Sequence, residues 1–230
     1  MYRQGMSFIQ GGSHYSVDNF FQKDWWFYNI RINDYQLMTV FWNLLLCLIP
    51  FLLCLLLIAY FDRNGFKRVY QRIVAGLIFF IWLLFVPNTA YVMTDVRHLL
   101  NYCPYQTAFK VCDSNLWVIL FFFSYSVIGW VTFYYALLQM RNFVGRISGE
   151  MVAKIFILII IPILALGVML GLVNRWNSWE VFIYPTDFLS NLFQYISLKK
   201  YYVNWAIFSI YFYLLYGIGL LVFRKKIDLR

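Results

Sequence analysis

The chain has 230 residues, 63% of them hydrophobic and 23% aromatic, with only 13% charged and a formal net charge of +9. A water-facing globule carries about 25% charged residues, so this composition excludes an ordinary soluble domain. Several apolar runs long enough to cross a bilayer account for the deficit and predict an all-α polytopic bundle whose first partner is the lipid bilayer. The positive charge sits in short segments between those runs, and no basic groove with interleaved aromatics supports nucleic-acid binding.

Residues 1–36 are polar and glycine-spotted, with an aromatic centre from Phe20 to Tyr28. Trp and Tyr favour the headgroup level, so this segment reads either as interfacial and extracytoplasmic or as a partly ordered tail. It holds no apolar h-region, which argues against a cleavable signal peptide. The bundle itself is expected over 37–223. Span one runs from about Leu37 to Phe61, carries Pro50 near its middle, and is stopped by Asp62-Arg63-Asn64-Gly65. Span two runs from about Ile73 into a polar stretch that begins at Pro87. The loop 101–114 holds Cys103 and Cys112, with Asp113 or Ser114 suited to cap the helix that follows.

Span three covers about Leu116 to Met140, and span four about Met151 to Val173 with Pro162 inside it. In span four Gly167 and Gly171 form a small-xxx-small pair that lets another helix approach closely, and Asn174 and Ser178 continue that stripe. Residues 181–202 form an amphipathic piece after Pro185, with Phe188, Leu189, Leu192, Phe193 and Ile196 at helical spacing. It is too short and too polar to span, and is expected to lie at the interface. Span five is about Val203 to Phe223, followed by the basic tail 224–230.

Five spans put the termini on opposite sides. Eleven of the 19 Lys and Arg residues fall in three short segments, 62–72, 141–154 and 224–230; the other eight are spread over three longer ones. That density favours an outer N-terminus and a cytoplasmic C-terminus in a plasma membrane. Cys103 and Cys112 would then face the oxidising side, where a local disulfide is expected, with two free thiols as the alternative. Neither they nor Cys47 and Cys54 show a zinc or haem spacing.

Two polar clusters stand out in so apolar a chain. The first is PNTAYVMTDVRHL, in which Asn88, Tyr91, Asp95 and His98 are spaced to share one helix face. The second is RWNSWE, Arg175 to Glu180. With five spans both fall at the same outer end, and polar groups at membrane depth normally point into a bundle or a water-filled cavity. Asp95, His98 and Glu180 are the candidate metal ligands or proton-transfer groups, with Arg175 as counter-charge or anion contact. Asn88 and Asn177 are candidate orienting donors; Tyr91, Trp176 and Ser178 complete the cluster. No phosphate loop, dinucleotide fingerprint or nucleophile motif is present, so no cofactor is identified.

The pairing of these two motifs resembles an uncharacterised bacterial membrane-protein family, domain of unknown function 1361. Its first motif resembles PNxPYxLTDLxHL, matched here by Pro87, Asn88, Tyr91, Thr94, Asp95, His98 and Leu99. Its second resembles LGRFLRWNSWD, matched by Leu170, Gly171, Arg175, Trp176, Asn177 and Ser178, with Leu172 in place of a basic residue and Glu180 in place of Asp. The resemblance covers about residues 40–223 and implies a helical membrane protein with no assigned activity. Three functions stay open: a small-solute transporter or binding subunit, an intramembrane enzyme acting on a lipid-linked or envelope substrate, and a structural subunit working through a membrane-protein partner or as a homo-oligomer.

Overall fold

The computed structural model describes residues 30–32, 35–99 and 116–223. Its helices are α1 (Leu37–Asn64), α2 (Val69–Phe85), α3 (Pro87–Thr94), α4 (Trp117–Ser148), α5 (Glu150–Asn174), α6 (Glu180–Ile183), α7 (Pro185–Ser197) and α8 (Lys199–Phe223). Five helical stretches are long and apolar enough to cross a membrane: Leu37–Asn64, Val69–His98, Trp117–Ser148, Glu150–Asn174 and Lys199–Phe223. The chain is a multi-pass helical bundle. Ahead of α1, β1 (Arg31–Ile32) and β2 (Tyr35–Gln36) pair antiparallel, Arg31 opposite Gln36, at the close of the polar and aromatic segment 1–36. The expected Cys103–Cys112 bridge, the caps Asp113 and Ser114, and residues 1–29 and 224–230 lie outside the described residues.

Several boundaries shift from the hydropathy reading. α4 continues two turns past Met140 to Ser148, and α8 begins at Lys199 rather than Val203. Charged residues are tolerated there because long helices protrude beyond the roughly 30 Å apolar core. α1 ends where the Asp-Arg-Asn-Gly signal put it: Gly65 is left-handed (φ 63°) and its N–H returns to the Phe61 carbonyl, 2.7 Å. At this end of the bundle Arg146 of α4 meets Asp62 of α1 (2.6 Å), and Arg141 pairs with Glu150. We call it the basic end, and the opposite one the motif end.

Outward faces are apolar, as a lipid-facing surface is: Leu52, Leu158 and Leu221 are exposed, whereas Trp82, Phe133, Leu137, Ile161 and Leu164 are fully buried between helices. Pro162 shows how the fold repairs its own helix breakers. Proline has no N–H to offer the Leu158 carbonyl one turn back. The hydroxyl of Tyr213 on α8 donates to that carbonyl instead, and Trp205 Nε1 donates to the Pro162 carbonyl at 2.7 Å. The amphipathic piece splits at Tyr184 into α6 and α7, and α7 turns polar side chains into the protein beside the core-packed Phe188 and Leu192. Asn191 and Tyr195 are buried while Leu189, Phe193 and Ile196 face outward. Tyr195 donates to Asn174 Oδ1 (2.7 Å), and burial pushes its hydroxyl pKa up, so it stays a neutral donor. Asn174 therefore points at α7, and the stripe from Gly167 ends there.

Candidate functional site

The site is built on a broken helix. Pro87 cannot continue α2, so α2 stops at Phe85 and a new helix, α3, opens with proline in its first turn. The next two residues of the motif repair the break. Asn88 Nδ2 donates to the Phe85 carbonyl (2.9 Å), and Thr89 Oγ1 donates to the Val86 carbonyl (2.7 Å). Pro-Asn-Thr is thus one junction: the proline withholds the N–H that would bond the Leu83 carbonyl, and the next two side chains bind the carbonyls of Phe85 and Val86 where α2 gives way to α3.

α3 packs against α1, α4 and α5 together. It comes this close because glycines face it. A Cβ on Gly129 of α4 would stand 2.9 Å from the Met93 nitrogen; one on Gly167 of α5 would stand 2.6 Å from Pro87 Cγ. A Cβ on Gly171 would stand 3.3 Å from the Tyr91 ring. The small-xxx-small pair of α5 is therefore the seat of the motif helix. Neighbouring helices also bind its backbone: Cys47 Sγ donates to the Asn88 carbonyl (3.4 Å) and Ser126 Oγ to that of Met93 (3.3 Å).

Beyond Thr94 the chain tightens into a 3-10 turn over Asp95–His98. Asp95 is 1% exposed and accepts from Asn43 Nδ2 of α1 (3.0 Å); His98 Nε2 lies 3.8 Å from its other oxygen. Arg97 Nη2 donates to the Tyr91 hydroxyl (2.8 Å), and its guanidinium lies over the same ring, 5.6 Å from the centroid. Across from them, α5 ends with Arg175 in the left-handed region (φ 60°), which turns the chain sharply. That turn brings Ser178 Oγ to 2.9 Å from Asn88 Nδ2, a contact between the two motifs across 90 positions. Trp179 meets Trp42 of α1 edge to face at 6.4 Å.

Together these residues wall a cavity of about 980 Å³. Of the sequence-predicted set, Asn88, Tyr91, Asp95, His98, Arg175, Trp176, Asn177 and Ser178 line it. Glu180 does not. It is fully buried, and its Oε2 accepts from the Asn177 N–H at 2.6 Å, closing its own turn as a capping residue does. Among the described residues no three His, Cys, Asp or Glu side chains converge as a metal-holding group, so the trio Asp95, His98 and Glu180 is not gathered at one point.

Sequence reasoning passed over Asn43, Trp42 and Thr39 of α1, Arg31 and Gln36 of the β-ladder, and Arg97, counted only as a loop charge. All six line the cavity. The available signal was Asn43, a polar amide inside a 28-residue apolar helix. Three arginines (Arg31, Arg97, Arg175) and, among the described residues, one carboxylate, Asp95, thus line the cavity. Arg97 and Arg175 have no carboxylate within ion-pair distance among the described residues.

The Asp95 contact gives a direct test. Asp95→Asn keeps an oxygen for Asn43 but drops the charge, turning a charge-assisted hydrogen bond into a neutral one. The expected cost is about 1 kcal/mol of unfolding free energy, with the protein still folded. Outright loss of folded protein would make the carboxylate's charge itself the tie between α1 and the motif.

Against known proteins, the model of the family described as "Protein of unknown function (DUF1361)" matches residues 42–216. No curated protein and no solved structure matches the chain.

Proposed function

The chain belongs to the DUF1361 family, whose description names no activity, and from the geometry we propose that it is a membrane-embedded binding protein whose cavity holds an anionic ligand. One observation carries the proposal: among the described residues, three arginines and one carboxylate line one cavity at the end of a bundle in which polar groups are scarce. A guanidinium fork matches carboxylate and phosphate geometry, and arginine cannot escape its charge by losing a proton. Arg31 and Arg175 are exposed at the motif end and Arg97 is half-buried, so their charges are within reach of an incoming anion.

Asn88, Asn177, Ser178 and the Tyr91 hydroxyl supply neutral donors around the charge. Asp95 and His98 orient the 3-10 turn that presents Arg97. The lysine and arginine count supports an outward-facing motif end and a cytoplasmic basic end in the cell membrane. A metal-dependent enzyme is less well supported, since Glu180 is spent on its own turn. A metal-free acid–base role keeps one favouring observation, the Asp95–His98 pair at 3.8 Å inside the same cavity.

Anion titration of the purified protein tests the binding reading. At least one anion among inorganic phosphate, sn-glycerol 3-phosphate and an anionic amphiphile should raise the unfolding temperature of the wild type. Arg97→Gln should need about tenfold more anion for the same shift, the loss of one charge-assisted hydrogen bond. A wild type indifferent to every anion class would leave the cluster as structural glue between α1, α3 and α5.

A further inference from the structure

The cavity is longer than an anion needs. From Arg175 its α5 wall continues through Gly171, Leu170, Gly167 and Leu166 to Ile163. The twelve steps from Ile163 to Arg175 cover roughly 18 Å at 1.5 Å per residue. Phe80, Leu83 and Leu84 of α2 form the facing wall, and Leu189, Leu192 and Ile196 of α7 a third. Cations therefore gather at the motif end and the remainder is an apolar trough. Half of a bilayer's hydrocarbon core is about 15 Å, so the trough has the length of one leaflet. Phe80, Ile163, Leu189 and Ile196 line it and are exposed at 42%, 41%, 60% and 51%, so it is open on the side of the bundle that they share.

Resting on the anion-binding reading, we infer that the ligand is a phosphate-bearing lipid taken sideways from the membrane. Its phosphate lies between Arg97 and Arg175 and one of its chains lies in the trough of α2, α5 and α7. Charge and shape agree on this occupant. A soluble anion would leave the trough unfilled, and an uncharged lipid would bring no counter-charge to Arg97 and Arg175. Lipid tails are as apolar as leucine, so the chain enters at little gain or cost and the headgroup contacts select the ligand. α7 takes a definite part: its polar face is anchored by Tyr195 to Asn174, which leaves its apolar face to wall the trough.

The test uses the whole chain in a nonionic detergent, with dioleoyl-phosphatidylglycerol, dioleoyl-phosphatidylcholine or sn-glycerol 3-phosphate added in turn. The expected result is a rise in unfolding temperature with the phosphatidylglycerol alone. Half-maximal effect should need about tenfold more of it in Arg97→Gln and in Arg175→Gln. Ile163→Trp, which narrows the trough at an exposed position, should weaken the lipid response. Lys199→Gln with Lys200→Gln, charges outside the cavity, should leave it unchanged. An equal response to sn-glycerol 3-phosphate would overturn the lipid assignment while keeping the anion site. A lipid response undiminished in both arginine variants would overturn it as surface charge, and no response to any of the three would remove both readings.

Discussion

Gly167→Ala lowers the stability of the protein by about 1–3 kcal/mol, the usual cost of overpacking a close helix contact. The added methyl would lie 2.6 Å from Pro87 Cγ and 3.0 Å from its Cβ. Proline is a ring fixed to its own backbone, so it cannot swing aside as a flexible side chain can. The gain from removing a helical glycine, at most about 1 kcal/mol, does not offset the clash. For a chain of this length each kcal/mol corresponds to about 2–4 °C in unfolding temperature. The other glycines rank by the same geometry. Gly129→Ala should be as damaging, because the obstacle is the Met93 backbone nitrogen at 2.9 Å. Gly171→Ala should be milder, with the Tyr91 ring at 3.3 Å, and Gly76→Ala should be neutral or stabilising, since nothing stands within 4 Å. Thermal unfolding of the four variants in one detergent checks the order, and equal stabilities would remove the glycine seat as the reason α3 packs where it does.

Arg175→Gly should separate stability from binding. A left-handed backbone costs a residue with a Cβ about 1–2 kcal/mol, and glycine adopts it freely. Glycine also loses more freedom on folding, so the variant is expected to be as stable as the wild type or more so by up to about 1 kcal/mol. Anion affinity, by contrast, should fall about tenfold with the loss of the guanidinium. An ordinary site for this turn would hold glycine or asparagine. A strained arginine that costs stability and improves binding is what a functional position looks like. Unfolding of the variant would show that the guanidinium holds the structure, and unchanged affinity would take Arg175 out of the site.

What the sequence disclosed depended on how local the signal was. Span number and most boundaries follow from apolar runs, and the stop at Gly65 from one residue's backbone freedom. That Asn88 and Ser178 share one end of the bundle follows from counting spans. The spacing of Asn88, Tyr91, Asp95 and His98 was read as one continuous helix, yet the chain passes from α3 into a 3-10 turn at Asp95. All four still line the cavity, because the tightening is confined to the last two of them, Asp95 and His98. Glu180 misled because a carboxylate's type says nothing of its task; the informative sign was its place three residues after Asn177, the spacing of a capping pair. Asn43 was passed over because one amide in an apolar helix does not announce which neighbour it will face. The trough was out of reach for a similar reason, since α2, α5 and α7 each contribute an ordinary apolar face and only their arrangement makes a channel.

The seat of α3 also sets an order on biosynthesis. α1 is made before this helix, but Gly129 of α4 and the Gly167–Gly171 pair of α5 emerge after it. α2, at 17 residues, reaches roughly 26 Å, just short of a full crossing, so the translocon meets a polar appendage whose berth has not yet been synthesised. Asp95 and its neighbours must then wait at the membrane rim until the fourth crossing arrives. Nascent chains halted before α5 would leave Pro87 and Tyr91 without the glycines that seat them, and completion of α5 is the step that closes that side of α3.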